Sequence, residues 1–351
     1  MNSELWEKID NEIPLTKEDI VTLLALSDPV EMESLFKRAD LIRKKYVGDD
    51  VHLRGLIEFS NICRKGCYYC GIRSGNTEIQ RYRMPGEEII LAANMAASFG
   101  YKTIVLQSGE DPYYTVDILA ALIKEIKRES HVAITLSIGE REREEYQKLF
   151  DAGADRFLLR FETSNPDLYK SLHPDSDFQH RMQSLIWLRE IGFQVGSGVM
   201  IGLPGQTLED LAMDILKFKE LELDMIGVGP YISHPDTPLA GSASGDADIT
   251  LKVVALTRIV TRNTHIPATT ALATLRPSDG REKALQVGAN VVMPNVTPLK
   301  YRELYELYPD KICVNEAADQ CNNCIRQRIY SVGRTISSGH GHSLKTGQNG
   351  V

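Results

Sequence analysis

Eight short β-branched runs, separated by amphipathic helical stretches, recur along this chain and restrict its fold more than any other feature. The runs are VHLRGLIEFS (51–60), KTIVLQSG (102–109), VAITLSIG (132–139), RFLLRFE (156–162), VGSGVMIGL (195–203), MIGVGPYI (225–232), IPATTAL (266–272) and NVVMPN (290–295). Between them, segments such as GEEIILAANMAASFG (86–100), TVDILAALIKEIKRES (115–130) and TLEDLAMDILKFKELE (207–222) carry apolar residues at helical spacing. Thr207 followed by Asp210 is a helix-start pair. Repeated strand–helix units imply parallel strands joined by helical crossovers. Eight in succession favour closure into an α/β fold of the (β/α)8 TIM barrel type. An open doubly wound sheet is the alternative, since strand order is not written in a single sequence.

The 351 residues hold such a barrel with additions at both ends. Residues 1–50 read as an N-terminal helical extension, 51–300 as the barrel, and 301–351 as a C-terminal segment without a further strand–helix unit. The last stretch, SSGHGHSLKTGQNGV (337–351), is rich in Gly and Ser and is expected to be a flexible tail. His340 and His342 then belong to a solvated polar surface, metal binding being the other reading. With 42% hydrophobic and 25% charged residues the chain can bury a substantial core. Its formal charge of −8, without a long basic run, argues against a nucleic-acid partner. The acidic start lacks the pattern of a signal peptide, and no apolar stretch approaches the roughly 20 residues of a membrane span. A reducing cytoplasm is the expected compartment.

All six cysteines lie in two triplets, 63/67/70 and 313/321/324, a clustering that suggests metal binding or catalysis rather than a disulfide frame. Cys63, Cys67 and Cys70 stand as C-x3-C-x2-C in FSNICRKGCYYCGIRS, directly after the first strand. In a parallel barrel that end is the active face. Thiolates at this spacing can wrap three corners of a cubane iron–sulfur cluster. The fourth iron then has no ligand from the loop and is open to a substrate or cofactor, as an open catalytic zinc is. Arg64 and Lys65 can offset the cluster's negative charge, and Tyr69 can pack against a bound aromatic ring. A zinc site or an ordinary electron-transfer cluster is the alternative, but each normally takes a fourth ligand.

In spacing and position this loop resembles that of the radical S-adenosylmethionine (SAM) enzymes, and the resemblance spans nearly the whole chain. It implies a 4Fe–4S cluster whose open iron chelates SAM, with reductive cleavage to methionine and a 5′-deoxyadenosyl radical. It also implies roles for residues on the same face. Ser108-Gly109-Glu110 in LQSGEDPYY takes the place of a Gly-Gly-Glu motif that contacts the SAM amino group, with Ser for the first Gly; the same residues make a good turn. Arg160 and Glu162 in LRFETSN are two apart and on one side of a strand. Glu162 and Arg181 match residues that hold the methionine and ribose portions of SAM, and Arg160 matches one facing the substrate; a structural salt bridge is the alternative. VMIGLPG, with Gly202 and Leu203, resembles a segment whose backbone contacts adenine. Ser137 is assigned to the cofactor and shares a strand face with Thr135. Thr135 with Ser137, and Thr269 with Thr270, also suit ordinary strand filling.

Within the superfamily, RYRMPGEEI, VLQSGEDPYY, LRFETSNP, GLPGQTLEDL, GPYISHPDTPLA, IPATTAL and GANVVMPN resemble, in that order, the HydE family of FeFe hydrogenase maturases. That resemblance implies action with two partner maturases and an electron donor to build the hydrogenase H-cluster. The substrate would be a small cysteine-bound iron carbonyl cyanide species. Gln107, Ser108, Thr135, Arg160, Met225, Thr269, Thr270 and Tyr305 would line its cavity, Arg160 taking a carboxylate. Biotin synthase and methylornithine synthase share the layout, so a methylornithine synthase-like mutase acting on an amino acid stays open, as does a non-enzymatic iron–sulfur carrier. Cys313, Cys321 and Cys324 match the ligands of an accessory 2Fe–2S or 4Fe–4S cluster that some HydE proteins carry and others lack. A zinc site is the alternative there.

Overall fold

A computed structural model describes residues 3–345. Three helices, α1 (Ser3–Asp10), α2 (Lys17–Leu24) and α3 (Pro29–Val47), precede the first strand. The strands are β1 (Asp50–Ser60), β2 (Thr103–Ser108), β3 (Ala133–Ser137), β4 (Arg156–Leu158), β5 (Gln194–Ile201), β6 (Met225–Pro230), β7 (Val291–Val292) and β8 (Thr335–Ile336). All pairings between them are parallel, in the order β6-β5-β4-β3-β2-β1-β7, with β8 beside the start of β1. Single parallel bridges from Met225 to His265 and from Pro267 to Val291 complete the ring, giving the expected closed (β/α)8 barrel.

The seventh expected strand shrinks to those bridges for a local reason. Pro267 has no N–H to donate to a ladder. Two residues later Thr269 caps the helix Thr270–Leu275, its hydroxyl accepting from Leu272 N–H. The helix-start pair Thr207/Asp210 forms a reciprocal capping box, with Thr207 N–H on the Asp210 carboxylate at 2.8 Å and Asp210 N–H on Thr207 Oγ1 at 3.1 Å.

Strand alternation sorts the side chains into two layers. Ile57, Ile104, Leu106, Ile134, Leu136, Phe157 and Val195 face the helices and are essentially inaccessible. Each such side chain contributes roughly 1.5–3 kcal/mol by leaving water. The opposite face points into the barrel and, beside a few apolar residues such as Leu56 and Val105, carries Arg54 and Glu58 on β1, Thr103 and Gln107 on β2, Thr135 and Ser137 on β3, Gly227 and Gly229 on β6. A Cβ added at Gly227 would meet nothing closer than Ser197 O at 3.8 Å, so there is open space beside this glycine. α2 and α3 pack on the outer helices Leu208–Glu220 and Ala247–Thr261, respectively.

The C-terminal stretch departs from expectation. Residues 337–345 are not a free tail but a strap across the floor of the barrel, the end opposite the cysteine loop. After β8 pairs with Asp50 and Val51, His340 O accepts from Thr103 Oγ1 at 2.8 Å and from Arg156 Nη2 at 2.9 Å, and Gly341 O accepts from Arg54 Nη2 at 3.3 Å. The cause is electrostatic: Arg54 and Arg156 are 1% and 3% exposed, and the strap carbonyls solvate them. His342 Nδ1 contacts Gln194 Nε2 at 2.9 Å and its carbonyl contacts His265 Nε2 at 3.0 Å, so His342 seats the strap while remaining exposed, as a polar surface residue was expected to be. The end of the expected tail, 346–351, lies outside the described residues.

Candidate active site

β1 delivers the first cysteine triplet to the barrel mouth, and neighbouring loops clamp it there. Gly66 N–H donates to Asp175 Oδ2 at 2.6 Å, Tyr68 N–H to Leu172 O at 2.9 Å, and Gly71 N–H to Leu307 O at 2.9 Å. Arg81, which sequence reading missed, staples the loop from within. Its guanidinium donates to the carbonyls of Asn61, Ile72, Arg73 and Asn76 at 2.6–2.9 Å. Its only local signal was an arginine eleven residues after Cys70 in QRYRMP. The β2 turn presses on the loop as well. A Cβ at Gly109 would stand 2.3 Å from Ile62 O and 2.7 Å from Cys63 Cβ, so this position requires Gly.

Burial pushes all three thiols up, Cys67 to about 12 with help from Cys63. Against that, the N–H groups of Lys65 and Glu110 each point at Cys63 Sγ at 3.4 Å, and Arg81 lies close enough to favour the Cys63 and Cys70 thiolates. Among the described residues no three His, Cys, Asp or Glu side chains converge as the ligands of one ion do. Thiols that each bind a different corner of a cubane are spread more widely. Tyr69 OH donates to His173 Nε2 at 2.9 Å while His173 Nδ1–H donates to Tyr169 O at 2.8 Å, which fixes the neutral tautomer; burial pushes that imidazole down to about 4.

On β4 the ladder is interrupted by a bulge. Leu158 pairs with Gly196 and Glu162 with Val199, four steps against three, and Glu162 sits at φ +63°. The bulge brings Arg160 Nη2 to 3.1 Å from Glu162 Oε2, a charge contact without hydrogen-bond geometry. Burial pushes Glu162 up, opposed by Arg160 and Arg181. Thr135 Oγ1, Arg160 Nε and Glu162 Oε2 are all buried without a hydrogen-bond partner. Buried polar atoms of this kind are costly unless a ligand satisfies them.

The remaining expected site residues divide between the mouth and other tasks. Ser108 Oγ donates to Gly109 O at 2.7 Å, and Gln107 Nε2 lies 3.4 Å from Tyr305 OH. The Glu110 carboxylate is taken by Arg64 Nε at 2.9 Å and Glu140 N–H at 2.7 Å. Arg181 Nε donates to Glu140 Oε1 at 2.6 Å, and its Nη1 to Arg160 O. The amides of Gly202 and Leu203 are held by Gln206 Oε1. Ser137 ends β3 on its inward face and Thr270 opens the helix that Thr269 caps. Met225 lies against Arg54 at the floor, remote from the thiols. Sequence reading also missed Glu58, a buried inward carboxylate that accepts from Lys311 Nζ at 2.5 Å and Asn295 Nδ2 at 2.7 Å.

In the second triplet, Cys321 and Cys324 are three apart on the helix Ala318–Ser331 and share a face. Cys313, at φ +64°, accepts from Arg281 Nη1 at 3.5 Å. Burial, with Cys313 as a further cause, pushes the Cys321 thiol up to about 11.

A parallel (β/α)8 barrel that opens onto a clamped three-thiol loop, with unsatisfied polar groups inside, defines the class of the radical SAM enzymes. The family model of the Radical SAM superfamily matches residues 57–218. The [FeFe] hydrogenase maturase subunit HydE of Thermotoga maritima is 53% identical over 331 residues, 94% of each chain. The 3-methylornithine synthase of Methanosarcina acetivorans is 31% identical over 82% of this chain and 81% of its own. A crystal structure of methylornithine synthase superposes with TM-score 0.83 at 26% identity, covering 95% of this chain and 97% of that one. The chain belongs to the radical SAM superfamily and, within it, to the HydE family.

Proposed function

We propose that this enzyme acts in assembly of the FeFe hydrogenase H-cluster, on a small cysteine-bound iron carbonyl cyanide species. The observation that carries the proposal is the set of buried polar atoms of Thr135, Arg160 and Glu162 that lack a hydrogen-bond partner, inside a barrel whose mouth holds three thiols. Cys63, Cys67 and Cys70 would hold a 4Fe–4S cluster, and the thiol chemistry, the two N–H···S contacts and the Arg81 charge fit that group. Bound there, the cluster and SAM supply a 5′-deoxyadenosyl radical. The chain's own residues then have distinct tasks. Glu162 and Arg181 orient SAM, Tyr69 borders its adenine, Ser108-Gly109-Glu110 borders its amino group, and the Gly202–Leu203 turn supplies backbone. Arg160, with Nε free of protein partners, binds the substrate carboxylate. Gln107, Thr135 and Tyr305 line the chamber around it, and the barrel wall excludes water.

The test is hydrogen evolution from an apo-hydrogenase matured anaerobically with two partner maturases, an electron donor, SAM and this protein, against an omission control. Strong activation over the control is expected. SAM cleavage without activation would move the substrate to a free amino acid, as in methylornithine synthase. Failure to cleave SAM at all would leave an iron–sulfur carrier.

The second triplet is placed in the proposal as an accessory cluster site, dispensable for SAM cleavage. Replacing Cys313, Cys321 and Cys324 together by Ala is expected to leave 5′-deoxyadenosine formation within about twofold, a barrier change below about 0.5 kcal/mol. Abolished cleavage in a folded variant with its first cluster loaded would remove that assignment.

A further inference from the structure

Between the cysteine loop and the helix Phe178–Ile191 stands a carboxylate that neither the sequence motifs nor the proposal above uses. Glu140 follows β3 and is 4% exposed. Its Oε1 accepts from Arg181 Nε at 2.6 Å, and its Oε2 accepts from Lys65 Nζ at 3.2 Å. Its backbone N–H donates to Glu110 Oε1 at 2.7 Å, and Glu110 Oε2 in turn accepts from Arg64 Nε at 2.9 Å. One residue thus ties Lys65 of the cysteine loop to the arginine of the following helix and to the acid of the β2 turn, which in turn holds Arg64.

The geometry is built rather than incidental. The preceding Gly139 has φ +75°, and a Cβ there would lie 1.9 Å from Glu110 Cγ, so only Gly lets Glu110 reach the Glu140 amide. Lys65 Nζ is fixed from a second side by Asp175 O at 3.1 Å. Arg181 is fixed by the Arg160 carbonyl and lies 5.9 Å over the Tyr169 ring. Arg181 therefore spends Nε and Nη1 on the protein, and among the described residues no acceptor takes its Nη2. Three cations, Arg64, Lys65 and Arg181, face two carboxylates, Glu110 and Glu140, so the array keeps one net positive charge beside the thiols. Were Glu140 neutral, the charge-assisted part of both contacts would be lost, and Arg181, held then chiefly by the Arg160 carbonyl and the Tyr169 ring, would gain freedom that binding must remove.

We propose that Glu140 is a positioning residue that locks Arg181 to the cysteine loop, presenting the free Arg181 Nη2 to SAM in fixed register with the cluster. The inference rests on the assignment of Arg181 to SAM. Its test compares wild type, Glu140→Gln, Glu140→Asp and Arg181→Ala as reconstituted proteins. Iron content, thermal melting, SAM affinity and the change that SAM causes in the electron paramagnetic resonance spectrum of the reduced cluster are the readouts. Glu140→Gln is expected to keep its iron and its fold while binding SAM about tenfold more weakly, the loss of one charge-assisted hydrogen bond. The spectral change should then need correspondingly more SAM, and Glu140→Asp should recover part of the affinity. SAM affinity equal to wild type in Glu140→Gln overturns the positioning role. So does loss of iron or fold in both Glu140 variants, which would make the residue purely structural. Arg181→Ala separates the two levels: unchanged SAM affinity there removes the underlying assignment, whereas weak binding there beside normal binding in Glu140→Gln removes only the role of Glu140.

Discussion

A Cys67→Ala chain is expected to fold normally and release no 5′-deoxyadenosine, a loss of at least ~10⁴-fold against the reconstituted wild type. Cys67 is the most informative of the three because Cys63 Sγ accepts the N–H groups of Lys65 and Glu110 and its loss would disturb the loop itself. Around Cys67 the loop is held by other groups, including the Gly66 bond to Asp175, the Tyr68 bond to Leu172 and the four carbonyls on Arg81. Removing one half-buried sulfur costs folding only about 1 kcal/mol, by the apolar surface lost. In the proposed assignment Cys67 would hold one corner of the cluster, the group that would supply the electron for SAM cleavage. The measurement is anaerobic product formation beside iron content and circular dichroism. Wild-type cleavage by a Cys67→Ala chain would show that the triplet is not the cluster site.

The parts of this site that were legible in sequence are those encoded locally. The C-x3-C-x2-C spacing placed the thiols because one loop carries all three, and strand alternation put Thr135 and Ser137 on one inward face. Arg160 and Glu162 meet as expected, but through a bulge that spacing does not reveal; two-residue alternation happened to give the right neighbour for an incomplete reason. Glu140 and Glu58 were invisible because Arg181 and Lys311 lie 41 and 253 residues away, and Arg81 because its partners, though 5–20 residues away, are loop carbonyls that any sequence offers. Met225, expected beside the substrate, stands at the start of β6 against Arg54, a depth that a motif match does not reveal. The strap failed for the opposite reason. Gly- and Ser-rich composition signals a backbone free to take any path, and here the path is dictated by two buried guanidiniums on β1 and β4 that lie far away in the chain.

Those guanidiniums set the second large effect. A chain ending at Ile336 is expected to lose about 3 kcal/mol of stability, roughly a 4 °C fall in melting temperature for a chain of this length. Arg54 and Arg156 lie close enough to repel each other, and burial pushes Arg156 down to about 10, so holding both charged under the barrel floor is costly. The carbonyls of His340 and Gly341 offset that cost, and the strap adds bonds from Lys345 Nζ to Leu223 O at 2.7 Å and from Ser343 Oγ to Asp224 Oδ1 at 2.5 Å. Each hydrogen bond to a charged group contributes about 1.5–3 kcal/mol. Water entering the opened floor would solvate the arginines again, which is why the expected loss is nearer one such bond than four. SAM affinity should hardly change, because the strap lies at the end of the barrel opposite the thiols. Gly341→Val is the single-residue counterpart: at φ +62°, with a Cβ only 2.8 Å from His52 Nδ1, valine must displace the strap without shortening the chain. A fall in melting temperature in both variants, with faster amide exchange in β1 and β4, is the expected pattern. Unchanged melting in both would mean that the floor is closed by something other than the strap.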